Sequence, residues 1–177
     1  MEKRHPLKIS ETENQSGVHL SDGRIPPQAI DLEVAVLGAM LIDEKGVNEI
    51  IELLSPEVFY KKSHQLIYES IERLFRESEP IDLLTVSADW KKNKNFESSG
   101  GDFYLISLSQ KVSSSAHIEF HSRIILQKYI QRKLITISSE IIQKSYSETT
   151  DVMDLLDEAE SKLYDVAQGN IKTTTDS

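Results

Sequence analysis

Apolar residues recur at Ile30, Val34, Leu37 and Leu41, at i, i+4, i+7 and i+11, which is one face of a helix. Pro27 precedes them and suits a first helical turn, where its missing N–H is not needed. The pattern therefore predicts a first helix opened by Pro27 and ended at Asp43-Glu44-Lys45-Gly46. A short helix over residues 47–54 follows, broken by Ser55-Pro56. Leu66, Ile67, Ile71, Leu74 and Phe75 mark a third helix, with Ser63 as N-cap and Pro80 closing the segment. Asp82 is placed to cap a helix carrying Leu83, Val86 and Trp90. Residues 91–95 read as an exposed turn, with His64 earlier in the chain read as a helix-start residue. Gly100-Gly101 is a second break before a short helix with Tyr104, Leu105 and Leu108. No stretch alternates strictly enough for a strand. The expected class is all-α: a compact helical domain, then a helical hairpin and a linker helix.

Residues 113–115 are serines that can cap the long helical stretch over residues 116–146. That stretch exceeds the mean helix of about 11–12 residues. It is either one long helix or a hairpin bent near residues 129–132, and no Gly or Pro marks a bend. Ile130, Leu134, Ile137 and Ile141 form one stripe; Ile135, Ile142 and Tyr146 form a second, with Gln131, Ser138 and Ser145 between them. A helix packed on one core needs one stripe. Either the stretch meets two partners, or it has one wide buried face that tolerates small polar residues. Charge also changes sign here. Arg123, Lys128, Arg132, Lys133 and Lys144 give way to an acidic run from Glu148 to Asp165, opposed only by Lys162. A last helix carries Val152, Leu155, Leu156, Ala159, Leu163 and Val166, capped by Asp151 and ended by Gly169. The expected division is a disordered leader at 1–24, a globular helical domain at 25–112, a helical hairpin at 113–147, a linker helix at 148–169 and a disordered tail at 170–177.

Charge and motifs narrow the function. The formal net charge is −9, which argues against this piece being the main grip on phosphates, though not against a local basic face. There is no cysteine, so no disulfide framework. The longest nearly unbroken apolar run, from Val34 to Ile42, falls short of the ~20 residues of a membrane span. The opening residues lack a signal-peptide core, and a cytoplasmic protein is expected. None of the seven glycines is followed by lysine, so the chain holds no phosphate loop of the Gly-Lys-Ser/Thr kind. His117 and His121 share a helix face, but Ile118 stands where the zinc-protease motif has Glu; ordinary histidines are the better reading. Asp154, Asp157 and Glu158 read as a solvated face. No Ser, His and acid arrangement stands out, and Trp90 and the tyrosines do not cluster with basic residues as a stacking platform would. No catalytic, cofactor-binding or metal-binding residue is expected.

Several segments, taken in order, carry a resemblance. Arg24-Ile25-Pro26-Pro27-Gln28-Ala29-Ile30-Asp31-Leu32-Glu33, then Ala35-Val36-Leu37-Gly38-Ala39, resembles the opening of bacterial DnaB-type replicative DNA helicases. Pro56-Glu57-Val58-Phe59-Tyr60 with His64-Gln65-Leu66-Ile67-Tyr68, Glu79-Pro80-Ile81-Asp82-Leu83-Leu84-Thr85-Val86, and Gly100-Gly101-Asp102-Phe103-Tyr104-Leu105 continue it. Leu155-Leu156-Asp157-Glu158-Ala159-Glu160 is similar to the family's linker helix. The likeness covers about residues 24–168. Departures are Ser113-Ser114 where relatives usually carry a proline, and a leader longer than in many relatives. The family's ATPase domain, which follows the linker, is absent; a chain cut before that domain is favoured over a domain-only relative.

The resemblance implies a ring-shaped hexamer whose N-terminal domains form a collar, pair through helical hairpins and receive primase and, in many species, a loader. Single-stranded DNA passes through the full-length ring, and ATP and magnesium serve the parent helicase. No membrane is involved. The candidate partner-binding residues are Tyr104, Ile135, Ile142 and Tyr146, with Arg132, Lys133 and Lys144 as rim charges. Ile130, Leu134, Ile137 and Ile141 are candidates for self-association; Val152, Leu155, Leu156 and Leu163 are candidates for linker docking. The alternatives are a free-standing all-α adaptor unrelated to replication and a small hydrolase with an unrecognised site. A phosphate loop encoded downstream would separate these.

Overall fold

The computed structural model describes residues 23–92, 96–112 and 114–171, with side chains to residue 169. Most of the expected leader, residues 93–95, Ser113 and the expected tail from residue 172 onward lie outside the described residues. Among the described residues there are seven α-helices and no strand. They are α1 (Ile30–Ile42), α2 (Glu44–Ile50), α3 (Lys62–Arg76), α4 (Leu83–Trp90), α5 (Gly101–Gln110), α6 (Ile118–Ser145) and α7 (Val152–Ile171), with 3-10 turns at Pro56–Val58 and Glu97–Ser99.

α1 lies at the centre, chiefly against α5 and α6. Its apolar stripe is wider than the spacing predicts, because Val36, Ala39 and Met40 are buried together with Leu37 and Leu41. Pro27 does not open this helix. The Pro27 carbonyl accepts a hydrogen bond from Arg132 at 2.9 Å, and the first helical turn closes on the Ala29 carbonyl instead. Asp43 ends α1 and caps α2, accepting the Lys45 N–H at 3.0 Å and a hydrogen bond from the Ser115 hydroxyl. α2 therefore lies earlier than the expected residues 47–54. Ser63 is not the cap of α3. The amides of Tyr60 and Lys61 donate to the carboxylate of Glu33 on α1 at 2.7 and 3.4 Å, so α3 starts one residue ahead of Ser63. Asp82 caps α4 in a capping box with Thr85, as its position predicts. The core closes on Trp90, which meets Phe96 edge-on at 5.0 Å, and on Tyr68, whose hydroxyl donates to the Ile51 and Leu54 carbonyls at 3.2 and 3.1 Å.

The long stretch is one uninterrupted helix rather than a hairpin bent near residues 129–132. With no Gly or Pro inside it, nothing forces a break; the chain turns at residues 146–151. α7 then runs back antiparallel along α6, with Lys144 bound to Glu158 at 2.5 Å and Lys162 bound to Glu140 at 2.5 Å. The hairpin is thus α6 and α7, and the segment expected as a separate linker helix is its second arm. Asp151 caps α7 through the amides of Met153 and Asp154, but Gly169 does not end the helix, which reaches Ile171. No described helix is long and apolar enough to cross a membrane.

Candidate functional site

α6 packs on the globular unit through α1 and α2, and α7 packs on α6; helical geometry sorts their side chains into faces. At about 100° per residue, Ile137, Glu140 and Lys144 of α6 share the side turned to α7. Leu155, Glu158 and Lys162 of α7 share the side turned to α6. Rotating in the same sense from that shared line leads, in antiparallel right-handed helices, to the same flank of the pair. Leu134 and Ile141 on α6 lie on this flank with Val152, Leu156 and Leu163 on α7. Ile135, Ile142 and Tyr146 follow further round α6, about 100° beyond Leu134 and Ile141. The opposite flank carries Arg132, whose guanidinium donates to the carbonyls of Pro27 and Val58 at 2.9 and 2.7 Å. That flank is held against the globular unit.

The expected residues therefore separate. Ile137 is 7% exposed and Ile130 and Ile141 are half-buried, so this stripe is largely used within the chain. Leu134 is exposed. Ile142 is 58% exposed and Tyr146 87%, and Ile135 is exposed beside them. On α7, Val152, Leu156 and Leu163 are exposed, while Leu155 is half-buried. The first of the two stripes meets the second arm, and the second stripe is open.

Of the expected rim charges, Lys133 is exposed and lies 5.4 Å from the centre of the Tyr129 ring. Arg132 is a half-buried clamp, and Lys144 and Lys162 both hold Glu158, at 2.5 and 2.7 Å. Glu158 is paired as well as partly exposed: hydrogen bonds from Lys144 and then Lys162 lower its carboxyl to about 2. Asp154 and Asp157 are exposed as expected. Three tyrosines meet cations. Arg132 lies over the rings of Tyr60 and Tyr129, Lys133 over Tyr129, and Lys61 over Tyr104. These are surface contacts between α6, α5 and the entry to α3, not a row of open rings.

A groove of about 560 Å³ separates α7 from the globular unit, with Leu54, Val58, Tyr129, Ile130 and Val166 along it. Among the described residues no cluster of metal-ligand side chains forms. His117 and His121 stand with ring centroids 6.3 Å apart.

Tyr104 occupies a different place from the other candidates. It is half-buried, and its hydroxyl lies 2.6 Å from His64 Nε2 and 3.1 Å from Lys61 Nζ. His64 is fully buried, with Nδ1 2.5 Å from Glu33 Oε2. Sequence reasoning placed His64 only as a helix-start residue and missed this network. Its members are separated by 31 and 40 positions, so no local period reveals them. Tyr104 reaches the hairpin through Lys61 and its neighbour Tyr60, whose ring lies 5.5 Å from Arg132. Ile135 sits three residues beyond Arg132 on adjoining faces of α6.

Comparison with known proteins matches residues 25–127 to the DnaB-like helicase N-terminal domain family. The replicative DNA helicase DnaB of Rhodothermus marinus is 37% identical over 155 residues, which is 88% of this chain and 16% of the relative. The replicative DNA helicase DnaB of Geobacillus stearothermophilus is 39% identical over 145 residues, 82% of this chain and 32% of the relative. The chain thus spans a third or less of the length of these relatives. The crystal structure of the N-terminal domain of DnaB helicase from Mycobacterium tuberculosis is 31% identical, covers 80% of this chain and 99% of that one, and superposes with a TM-score of 0.75. A structure of a DnaB-like replicative helicase and its interactions with primase is 26% identical over 78% of this chain and 31% of that one, with a TM-score of 0.64.

Proposed function

Because the chain belongs to the DnaB-like helicase N-terminal domain family, we propose that it is the non-catalytic collar part of a hexameric replicative helicase. It joins subunits and receives primase and, where one is used, a loader. ATP and magnesium are then used by the parent protein's ATPase domain, and single-stranded DNA passes through the assembled ring. In this reading residues 25–112 form the globular helical domain, with the arms of the hairpin on either side of the division at residues 147 and 148.

The observation that carries the reading is the exposed apolar surface of the hairpin in an acidic chain. Exposed apolar patches of this kind mark protein-binding sites. Two faces are available. Leu134, Val152, Leu156 and Leu163 fit self-association, and the exposed edge of α7 is equally placed to dock on a neighbouring domain. Ile135, Ile142 and Tyr146, with Tyr104 across Lys61 and Tyr60, fit primase, since large side chains at a buried centre supply most of an interface's affinity. Calorimetry with the C-terminal helical domain of the cognate primase tests this. Wild type should bind, and a folded, still self-associated Ile142→Ser variant should bind at least several-fold more weakly. Equal binding by the variant would remove Ile142 from the interface; no binding by wild type would remove primase as the partner of this surface.

A further inference from the structure

We infer that the buried Glu33–His64 pair is a positioning device that fixes the pose of Tyr104 at the partner-binding surface. The inference rests on the proposal that Tyr104 belongs to the primase-binding face. A chain of hydrogen bonds runs from the interior outward. The Glu33 carboxylate accepts the amides of Tyr60 and Lys61 and the Nδ1 proton of His64. Nε2 of the same ring meets the Tyr104 hydroxyl at 2.6 Å. The Tyr104 oxygen accepts in turn from Lys61 Nζ at 3.1 Å, and the Lys61 ammonium lies 4.9 Å from the centre of the same ring. The His64 and Tyr104 rings are nearly parallel, at 11°. Every polar atom in the chain has a partner, and its outer end is a side chain at the surface.

Stability alone gives a weak reason for this arrangement. A buried hydrogen bond contributes little net stability, because it replaces one made to water in the unfolded chain. Packing places the Tyr104 ring against the edge of the core but does not by itself fix where its hydroxyl points. α5 opens on two glycines with positive φ, +104° at the N-cap Gly100 and +54° at its first residue Gly101, and its N-terminus has no side-chain cap. The hydroxyl, bound on one side by His64 and on the other by Lys61, supplies the orientation. A ring held in its bound pose before the partner arrives loses less freedom on binding.

The test uses the full chain labelled with 3-fluorotyrosine, the Tyr104 fluorine resonance being assigned by its loss in Tyr104→Phe. In His64→Leu that resonance should move toward the position of the exposed Tyr146. Binding to the primase helical domain should weaken roughly five- to tenfold in His64→Leu and in Tyr104→Phe alike, the effect of one lost hydrogen bond. The double variant should be no weaker than either single variant, because both remove the same link. A Tyr104 resonance unmoved in folded His64→Leu overturns the inference, as do additive losses in the double variant. Should His64→Leu fail to fold, Tyr104→Phe decides, because it removes only the hydroxyl: wild-type affinity in that variant overturns the inference. If wild type binds no primase domain, the partner assignment fails, and the fluorine shift still decides whether His64 positions Tyr104.

Discussion

Gly38 lies where α1 passes close to the end of α5. A Cβ at this position would lie 2.5 Å from the Leu108 carbonyl oxygen and 2.7 Å from a Val112 methyl. Gly38→Ala should therefore destabilise the fold. Overpacking costs about 1–3 kcal/mol, and the gain in helix propensity offsets about 1 kcal/mol of that. Urea denaturation should show a lower midpoint, and an unchanged one would mean the helices part freely. Ser122 presents the opposite case. It is fully buried on α6 and its hydroxyl has no hydrogen-bond partner. Removing an unpaired buried hydroxyl recovers part of its desolvation cost, so Ser122→Ala should gain about 1 kcal/mol and raise the thermal midpoint; a lower midpoint would show that the hydroxyl is satisfied in solution. Neither effect is legible in the sequence. Gly38 lies inside a helical stripe where a small residue carries no signal, and its neighbour Leu108 is 70 positions away.

At the scale of the element, α7 is held differently from the helices of the core. None of its described residues is buried, and its charged contacts run through Glu158 to Lys144 and Lys162 and through Glu140 to Lys162. The Glu158 carboxyl is lowered from 4.5 to about 2. A carboxyl whose folded-state value is depressed contributes stability that is whole above its unfolded value and is lost as pH falls through the folded one. The hold on α7 should therefore weaken between pH 4.5 and about 2. Amide NMR spectra taken across that range should show α7 resonances moving before those of α3, and Glu158→Gln should abolish this early change. Simultaneous loss of α7 and α3, alike in wild type and variant, would mean that the ion pairs do not hold the arm. The sequence disclosed α7 itself through its apolar period and the Asp151 cap, as it disclosed α4 through Asp82. It did not disclose which helix pairs with which. Lys144 meets Glu158 and Lys162 meets Glu140 across the two arms, contacts between residues 14 and 22 positions apart that no local period reveals. The start of α3 was hidden for a related reason: the amides of Tyr60 and Lys61 just ahead of it are bound by a carboxylate on another helix, Glu33 of α1.

At the scale of the molecule, Leu134, Val152, Leu156 and Leu163 leave one flank of the hairpin open. Burying a Leu or Val side chain contributes ~1.5–3 kcal/mol, so a few of them suffice for a weak dimer. Sedimentation at rising concentration should show self-association, and Leu156→Asp should shift it toward monomer. Because Leu156 is exposed, the variant should keep its helicity and its midpoint within about 0.5 kcal/mol. A variant that sediments as wild type does, or a wild type that stays monomeric, would exclude this flank. The clamp on the other flank has a consequence in time. Arg132 reaches back 105 residues to Pro27, and α1 rests chiefly on α5 and α6. A ribosome needs on the order of 5–20 s to add about a hundred residues. Val36, Leu37 and Met40 are thus among the earliest apolar side chains to emerge and among the last to be covered, and a nascent chain is most open to wrong association while α6 is still unmade.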